Sequence, residues 1–499
     1  MRHGKTIFLC CVIFGVLLHG CSSEKKTAGP EAFNVILISL DTLRADHLGC
    51  YGYSRPTSNN MDRLARRGVL FENAISSAPW TLPSHISLFT SLYPPAHGVE
   101  KIDLALADSD VTIAEVLKES GYRTGGFCGS GLLRSEFGFA RGFDVYRDNL
   151  TGRLHKILPP AMQWLEKNQD RPFFLFLHCY DMHFPYAPVD PRIRAMCMDG
   201  FDRVPFERLG MIIDKWNRED DLAGDDMDDL VFLYLKYYEK LLEVNRESQI
   251  REPKKLLKKI LKYIRGDWQE SRAFRQDVEM IRKFYDGEIM ATDRKLEELF
   301  DYLSEQNLRD KTLLVITSDH GEGLMDHGVL EHSKNLYDEV IRIPLIMLFP
   351  GGEYEGIRVK ERVRNIDIMP TILDFLGLDM IQGQDIQGVS LLPAIEGRLQ
   401  PTLAFSSTEH PVKKTSLVWK DYKLIIDRRH YREELYDISN DPEERRNIIS
   451  EKPEIREAML EKLKEIQQKN LALKKLRNPK RLHINDDLRN ELEQLGYLN

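Results

Sequence analysis

The segment 33-FNVILISLDTLRAD-46 opens with a run of apolar residues that ends at an acidic residue. Such a run is typical of a strand that is buried on both faces of a parallel sheet. Similar runs recur as 173-FFLFL-177 and 312-TLLVITS-318, and helical patterns lie between them. This alternation predicts an α/β fold, with a doubly wound, mostly parallel sheet and helices on both of its faces.

Acidic and imidazole side chains follow two of these strands at the point where each strand ends. Asp41 follows the first run directly, and Asp319 and His320 follow the third. Ligands in open α/β sheets bind beyond the carboxyl ends of the strands, so we expect these three side chains to converge there. Two carboxylates and an imidazole suit a divalent cation.

A second stretch, 78-APWTLPSHISLFTSLYP-94, predicts a helix with Pro83 in its first turn, the position where proline is tolerated. Thr81 then lies where the unpaired amide groups and the helix dipole favour an anion such as phosphate or sulfate. An ordinary capping threonine would give the same pattern, and both interpretations stay open on this stretch alone.

Five blocks in one order carry a family resemblance: 34-NVILISLDTLRADHLGCYGY-53, 78-APWTLPSHISLFTSLYPPAHGV-99, 173-FFLFLHCYDMHFPYAP-188, 313-LLVITSDHGEGLMDHG-328 and 336-LYDEVIRIPLIM-347. Together they resemble the sulfatase family of the alkaline phosphatase superfamily, from Phe33 to about Gly397. The resemblance implies an alkaline-phosphatase-like sheet with helices on both faces. The strands expected after Gly397 add a small C-terminal antiparallel subdomain.

The chain departs from the family pattern at the catalytic block. Family members carry Cys-x-Pro-Ser-Arg, whose cysteine becomes formylglycine, and here Thr81 and His85 replace the cysteine and the arginine. The usual Asp-Asp pair after the first strand is Asp41-Thr42, so one carboxylate ligand is absent. The usual Asp-Asn is Asp319-His320, which resembles phosphonate monoester hydrolases and lipoteichoic acid synthases.

The resemblance implies roles for further residues. His183, in an Asp-x-His-x-Pro block, would hold substrate oxygens, with Asp181 as its orienting partner. His332 and Lys334 lie near the family's anion-binding position, and His85 could hold substrate oxygens from the position of the family arginine. One divalent ion (Ca, Mn, Mg or Zn) would be bound by Asp41, Asp319, His320 and Thr81. His178 is interpreted as structural.

The N-terminus predicts a lipoprotein. A basic start and an apolar run from Ile7 to Leu18 precede 18-LHGC-21, which resembles a bacterial lipobox. Lipidation of Cys21 would anchor the protein to the bacterial cell envelope, facing the periplasm or the exterior, because two acyl chains suffice for stable anchoring. The run is shorter than the roughly 20 residues that span a bilayer.

The predicted organisation assigns every part of the chain, in the order signal peptide 1–20, polar tether 21–32, catalytic domain 33–400, C-terminal sheet-and-helix subdomain 401–473 and charged tail 474–499, with a helical insertion at about 199–282. The insertion could cover the site. Four cysteines remain after the signal peptide and Cys21, and free thiols and a disulfide stay equally open. The net charge of -8 argues against nucleic-acid binding.

Three functions therefore remain in view. The family resemblance favours a metal-dependent hydrolase of sulfuric or phosphoric esters in small molecules or glycans, with Thr81 as the nucleophile. Thr81 and His320 favour a phosphodiesterase or a phosphoryl transferase that acts on an envelope or extracellular substrate. The absence of the second aspartate, at Thr42, leaves a non-catalytic binding protein as the third.

Overall fold

The apolar run that opens the described chain forms a strand, β1, Asn34–Leu40, in which every residue is buried. Ile36 and Ile38 pack into one hydrophobic core, and Val35 and Leu37 pack into a second core on the opposite face. Successive side chains of a strand point to opposite faces, so an apolar run of this kind can only be satisfied between two cores.

The computed structural model describes residues 33–129, 131–184, 186, 188–198, 215, 227, 274–379, 385–398 and 402–494. These residues belong to one compact unit. The predicted signal peptide and tether lie outside the described residues, as does nearly all of the predicted insertion up to residue 273. Within the described part, none of the helices combines the length and the apolar composition needed to cross a bilayer.

The remaining strands form one large sheet and three smaller ones. In chain order they are β2 Val69–Ile75, β3 Leu104–Ala105, β4 Arg123–Gly129, β5 Val145–Leu150, β6 Phe173–Cys179, β7 Thr312–Thr317, β8 Gly323–Leu324, β9 Leu330–Glu331, β10 Arg342–Leu348, β11 Ile357–Arg364, β12 Ala404–Thr408, β13 Lys414–Trp419, β14 Tyr422–Asp427, β15 Arg432–Asp437 and β16 Lys480–Arg481.

The helices flank these strands. They are α1 Asn59–Arg67, α2 Thr81–Thr90, α3 Pro94–His97, α4 Ile113–Glu119, α5 Leu154–Asn168, α6 Pro191–Met198, α7 Phe274–Glu305, α8 Asp338–Ile341, α9 Ile368–Phe375, α10 Leu392–Ile395, α11 Pro453–Lys474 and α12 Asp486–Gln494. Residues of α2 pack into the core that contains Val35, and residues of α7 pack into the core on the other face of the sheet.

The large sheet has eight strands in the order β11-β2-β10-β7-β1-β6-β4-β5. β10 runs antiparallel to both of its neighbours, and the other pairs are parallel. The predicted fold class, a mostly parallel sheet with helices on both faces, is therefore confirmed. β1 lies between β7 and β6, so the residues that follow β1 and β7 leave the sheet side by side.

The C-terminal region forms the predicted antiparallel sheet, in the order β12-β13-β14-β15, and α11 packs on it through Met459 and Leu463. The sequence predicts a charged tail from residue 474, and most of residues 474–481 are exposed. Lys480–Arg481 pairs with β3, and the Arg477 side chain, 5% exposed, forms an ion pair with Asp110. A buried acid at position 110 requires such a partner, which the local sequence of the tail does not reveal.

Candidate active site

The register of the central strands brings the predicted acidic residues together. Ser39 of β1 lies opposite Thr317 of β7, and Asp41 and Asp319 each follow two residues later. Asp41, Asp319 and His320 are buried, and one ligand atom from each lies within 4.8 Å of the others. The structure thus places these three side chains together, as the sequence predicted.

The tautomer of His320 suits metal binding. Its Nδ1 lies 2.8 Å from the carbonyl oxygen of Gly321, an acceptor, so Nδ1 carries the hydrogen. Nε2 then presents a lone pair, and it lies 3.2 Å from Asp319 Oδ2, which is also an acceptor. Two acceptors at this separation repel each other unless a cation or a proton lies between them.

Two carboxylate oxygens of the cluster support the same conclusion. Asp41 Oδ1 and Asp319 Oδ2 are buried and have no hydrogen-bond partner within the described residues. Leaving a buried carboxylate oxygen unpaired is costly, and a divalent cation with oxygen and imidazole ligands would remove that cost. The donor set of two carboxylates and one imidazole therefore fits a metal ion.

The electrostatics reflect a crowded negative site. Burial and the neighbouring Asp319 raise the pKa of Asp41 to about 7. Burial opposes ionisation of Asp319, but His320 and His85 together hold the pKa of Asp319 below its usual range. Burial lowers the pKa of His320, whereas Asp319 raises it more, with a net result of about 9. Without a metal ion, a protonated His320 supplies the positive charge that the two carboxylates need.

Thr81 is the first residue of α2, and Trp80 occupies the capping position without any side-chain cap. The capping interpretation of Thr81 is therefore wrong. Its Oγ1 lies 3.2 Å from Asp41 Oδ2 and 3.3 Å from His320 Nε2, so the hydroxyl borders the predicted metal ligands. Thr81 lies at the positive end of the helix dipole, which favours a bound anion there.

Thr42 stands where the family pattern has its second aspartate. Its hydroxyl donates to the carbonyl of Asp41 at 2.7 Å, and its backbone is left-handed, with φ 58°. That conformation is rare for a β-branched residue, and Tyr285 holds it by donating to the Thr42 carbonyl at 2.7 Å. Thr42 thus shapes the turn after β1 and offers no carboxylate.

His85 differs from its predicted role. Its Nε2 lies 2.9 Å from the Ser39 hydroxyl, and its Nδ1 lies 3.0 Å from the Thr81 carbonyl and 3.4 Å from Asp319 Oδ2. Both ring nitrogens are therefore engaged within the protein, and the side chain is fully buried. His85 connects β1, α2 and Asp319, so it positions the site and does not hold substrate oxygens.

His178, which the sequence indicated to be structural, belongs to the site. It lies opposite Ser39 in the β1–β6 register, and its Nε2 is 3.2 Å from Asp41 Oδ2. An N–H of this ring can fix the orientation of the Asp41 carboxylate. The missing information was strand adjacency, since only the pairing of β6 with β1 brings this ring to Asp41.

His183 and His332 lie next to each other beside His320. Their ring centroids are 5.0 Å apart, and His332 lies 4.4 Å from His320 by the same measure. Glu322, a residue that sequence reasoning did not single out, lies 3.0 Å from His332 Nδ1 and orients that ring. Burial, His320 and Lys334 lower the pKa of His332, so the charge of Lys334 acts on this group.

Asp181 does not take the predicted orienting role toward His183. Nδ1 of His183 lies 2.7 Å from the carbonyl oxygen of Phe184, which is therefore its orienting acceptor. The Asp181 carboxylate accepts from the amide of Leu154 at 2.8 Å and lies 3.8 Å from Arg153. Asp181 thus ties the β6 loop to the start of α5, and its carboxylate is satisfied there.

Comparisons with known proteins identify the family of this chain. A family model described as "Sulfatase" matches residues 33–378, more than half of the chain. The chain belongs to the sulfatase family. A second model, "N-sulphoglucosamine sulphohydrolase, C-terminal", matches residues 326–469 of this family member. The predicted family resemblance is confirmed.

Curated relatives of this sulfatase-family protein are sulfuric ester hydrolases. An N-acetylglucosamine-6-O-sulfatase of Bacteroides thetaiotaomicron is 25% identical over 492 residues, with 87% of this chain and 85% of the relative covered. An arylsulfatase of Clostridium perfringens is 24% identical over 455 residues, with 84% and 90% covered. The chain is accordingly a sulfatase-like ester hydrolase, and members of this family depend on a metal ion.

Solved structures share the fold. A protein in complex with its substrate, D-glucosamine-2-N,6-O-disulfate, has a TM-score of 0.69 and 23% identity, with 88% of this chain and 98% of that chain covered. The phosphonate monoester hydrolase of Agrobacterium radiobacter has a TM-score of 0.63 and 20% identity, with 91% and 98% covered. Both the sulfatase and the phosphonate hydrolase architectures are therefore compatible with this fold.

Proposed function

We propose that this protein hydrolyses a sulfuric or phosphoric ester with Thr81 as its nucleophile and one divalent metal ion held by Asp41, Asp319 and His320. The observation that carries the proposal is the position of Thr81 Oγ1, which lies 3.2 Å from Asp41 and 3.3 Å from His320 at the start of α2. A metal ion in this place would lower the pKa of the Thr81 hydroxyl and neutralise charge on the ester.

The residues around the hydroxyl have separable tasks. The Thr81 hydroxyl donates toward Asp41 Oδ2, so its proton already faces an acceptor when Oγ1 attacks sulfur or phosphorus. His178 and His85 orient Asp41 and Asp319. Glu322 orients the ring of His332. Lys334, beside His332 and His183, would hold the non-bridging oxygens with its ammonium group.

The reaction proceeds in two displacements. Thr81 Oγ1 forms a bond to sulfur or phosphorus, and the bond to the ester oxygen breaks, so the alcohol leaves with a proton. Water then attacks the same sulfur or phosphorus atom, and the Thr81 hydroxyl is restored. A formylglycine hydrate can instead expel its group by collapsing to an aldehyde, an exit that a threonine ester lacks.

That difference favours a phosphoric ester as substrate. Offered an aryl sulfate and an aryl phosphodiester side by side, the wild-type enzyme should give the higher kcat/KM for the phosphodiester. A transferase would differ from a hydrolase in yielding phosphorylated acceptor when a second alcohol is added. A clear preference for the sulfate, or the same activity in Thr81→Ala, would overturn this mechanism.

We further propose that the substrate is a small-molecule or glycan ester outside the cytoplasmic membrane, and that a lipid on Cys21 anchors the enzyme. The motivation is the sequence 18-LHGC-21 after an apolar run. Cys21→Ala should abolish lipid labelling of the protein, whereas Cys50→Ala, which removes a thiol elsewhere in the chain, should not. An unchanged mass and unchanged labelling of Cys21→Ala would contradict the anchor.

A further inference from the structure

A cavity of about 770 Å³ lies between the loop after α3, strand β12 and helix α11. It is separate from the candidate active site, because none of the site residues described above lines it. Pro95 and Gly98, in its wall, follow the end of α2, and Thr81 begins that ten-residue helix. A helix of this length spans about 15 Å, so the cavity starts well away from the nucleophile.

Three residues that line the cavity each carry a buried polar atom without a hydrogen-bond partner within the described residues: Glu100 Oε1, Ser407 Oγ and Asn470 Nδ2. Their residues are 9%, 2% and 1% exposed. Buried polar groups without partners are uncommon in native proteins because each costs free energy. Three of them around one cavity indicate a ligand that brings both hydrogen-bond donors and acceptors.

The orientation of the Asn470 amide is set by its neighbours. The Tyr93 amide donates to Gln387 Oε1 at 2.9 Å, so Gln387 Nε2 is a donor, and it donates to Asn470 Oδ1 at 2.7 Å. The Nδ2 group of Asn470 is thereby left as a donor without a partner. Glu100 supplies an acceptor, and the Ser407 hydroxyl can donate or accept a hydrogen bond. Sugar hydroxyls complement such a mixture of donors and acceptors.

The mouth of the cavity is basic. Lys101, Lys474 and Arg481 line it and are exposed. Arg428 and Glu409 in the same wall form an ion pair with each other, so Asp103 is the remaining acid near the mouth. A second cavity of about 620 Å³ adjoins it, shares Gly98 and Lys474 in its wall, and adds Lys480. The two cavities share Gly98, Leu104, Lys474 and Arg481 in their walls, so we treat them as one groove. Leu471, 56% exposed, adds an apolar surface on which a sugar face can pack.

From this juxtaposition we propose that the groove between the loop at 98–104, β12 and α11 is a second binding site, which holds an anionic oligosaccharide. Glu100, Ser407 and Asn470 bind hydroxyl groups, and Lys101, Lys474 and Arg481 bind its sulfate or carboxylate groups. A volume of several hundred cubic ångströms suits a small oligosaccharide. The proposed groove site binds its ligand and catalyses no reaction. The inference therefore goes beyond the ester chemistry proposed for Thr81.

The test is calorimetric titration of the full chain with Thr81→Ala, which prevents turnover, using three probes. These are a sulfated tetrasaccharide, the same tetrasaccharide without sulfate, and inorganic sulfate. Ser407→Ala and Lys474→Ala should each weaken binding of the sulfated tetrasaccharide at this site about tenfold or more, as expected for loss of one buried or charged hydrogen bond. Lys469→Ala, the same change at an exposed position on α11, is the matched control.

In the Thr81 wild-type background, Ser407→Ala and Lys474→Ala should leave the hydrolysis of a small aryl ester unchanged. Equal affinity of Ser407→Ala, Lys474→Ala and Lys469→Ala for the sulfated tetrasaccharide would overturn the proposal. Binding of inorganic sulfate alone with the affinity of the tetrasaccharide would also overturn it, because the site would then recognise only an anion. Ser407→Ala, Lys474→Ala and Lys469→Ala are compared in the same Thr81→Ala background, so any remaining turnover is common to all three and the comparison does not depend on whether Thr81 is the nucleophile.

Discussion

Thr81 Oγ1 lies 3.2 Å from Asp41 Oδ2, although 40 positions separate the two residues in the chain. Asp41 directly follows the central strand and Thr81 begins a helix on one face of the sheet, so the contact joins the two features that the proposed site needs. In the proposed mechanism, Asp41 would accept the hydroxyl proton. The positive end of the helix would stabilise an ester anion.

Loss of the Thr81 hydroxyl should abolish turnover while the fold survives. Thr81→Ala leaves Pro83 and the start of α2 intact, and we expect kcat to fall about a thousandfold or more, as is typical when a covalent nucleophile is removed. Thr81→Ser keeps the hydroxyl and should retain most of the activity. If Thr81→Ala and Thr81→Ser were equally active toward the preferred ester, the nucleophile would have to lie elsewhere.

Replacing Asp41 with an uncharged residue should weaken metal binding and remove the stabilisation that bound metal provides. Asp41→Asn removes a ligand charge, so bound metal measured by elemental analysis should fall well below one per chain. The wild type should gain about 2.7 kcal/mol of unfolding free energy at a metal concentration 100 times Kd, and the variant should gain little. His155→Gln, at a half-exposed position on α5, serves as a control and should bind metal normally.

The same variant tests the pKa of Asp41. With chelator present, the folded state keeps the Asp41 proton up to about pH 7, whereas the unfolded state releases it near 3.8. The folded state therefore binds more protons between these values, and this group makes stability fall as pH rises from about 4 to 7. In urea unfolding, Asp41→Asn should lack that component. If the unfolding free energies of the two proteins depended on pH in the same way, the pKa of Asp41 would not be raised in the folded state.

Removal of the His85 ring should impair positioning rather than substrate binding. His85→Ala frees the Asp319 carboxylate, so we expect kcat to fall tenfold or more and metal affinity to weaken, with little change in KM. His85→Asn places an amide donor near the former Nδ1 and should restore part of kcat. A rise in KM at unchanged kcat would instead favour the substrate-holding role that the sequence indicated.

The C-terminal sheet is held to the catalytic domain by a buried lysine. Lys423 is 0% exposed, and its Nζ lies 2.8 Å from Asp338 and 2.7 Å from Glu444. Lys423→Met leaves two carboxylates without their cation and should destabilise the protein by about 3–5 kcal/mol in urea unfolding. Lys464→Met, on the exposed face of α11, should change stability by less than about 0.5 kcal/mol.

Adding Glu444→Gln to Lys423→Met should recover part of the loss, because one uncompensated buried charge is then removed. A double variant no more stable than Lys423→Met would show that packing of the lysine stem, rather than the ion pairs, holds the two parts together.

The central features of the site were predictable because they depend on local sequence. The short apolar runs that precede Asp41 and Asp319 are typical of buried strands, and such strands present their carboxyl ends at one edge of the sheet. Pro83 fixed the start of α2 in the same way, which placed Thr81 at a helix N-terminus. The placement of these residues therefore followed from strand and helix rules, whereas the role of Thr81 was implied by the family resemblance.

Other assignments required the tertiary structure because they depend on which strands and loops are neighbours. The ring of His178 reaches Asp41 only because β6 pairs with β1, and no local pattern encodes that pairing. His85 points into a space between Ser39 and Asp319, so its role follows from contacts with residues at two distant positions. Sequence by itself determined which residue types stand at the ends of strands and helices, since backbone periodicity is local. The tertiary structure alone decided which of these residues border the proposed reaction site and which form hydrogen bonds to one another. A hydrogen bond depends on distances between atoms, and only packing sets those distances.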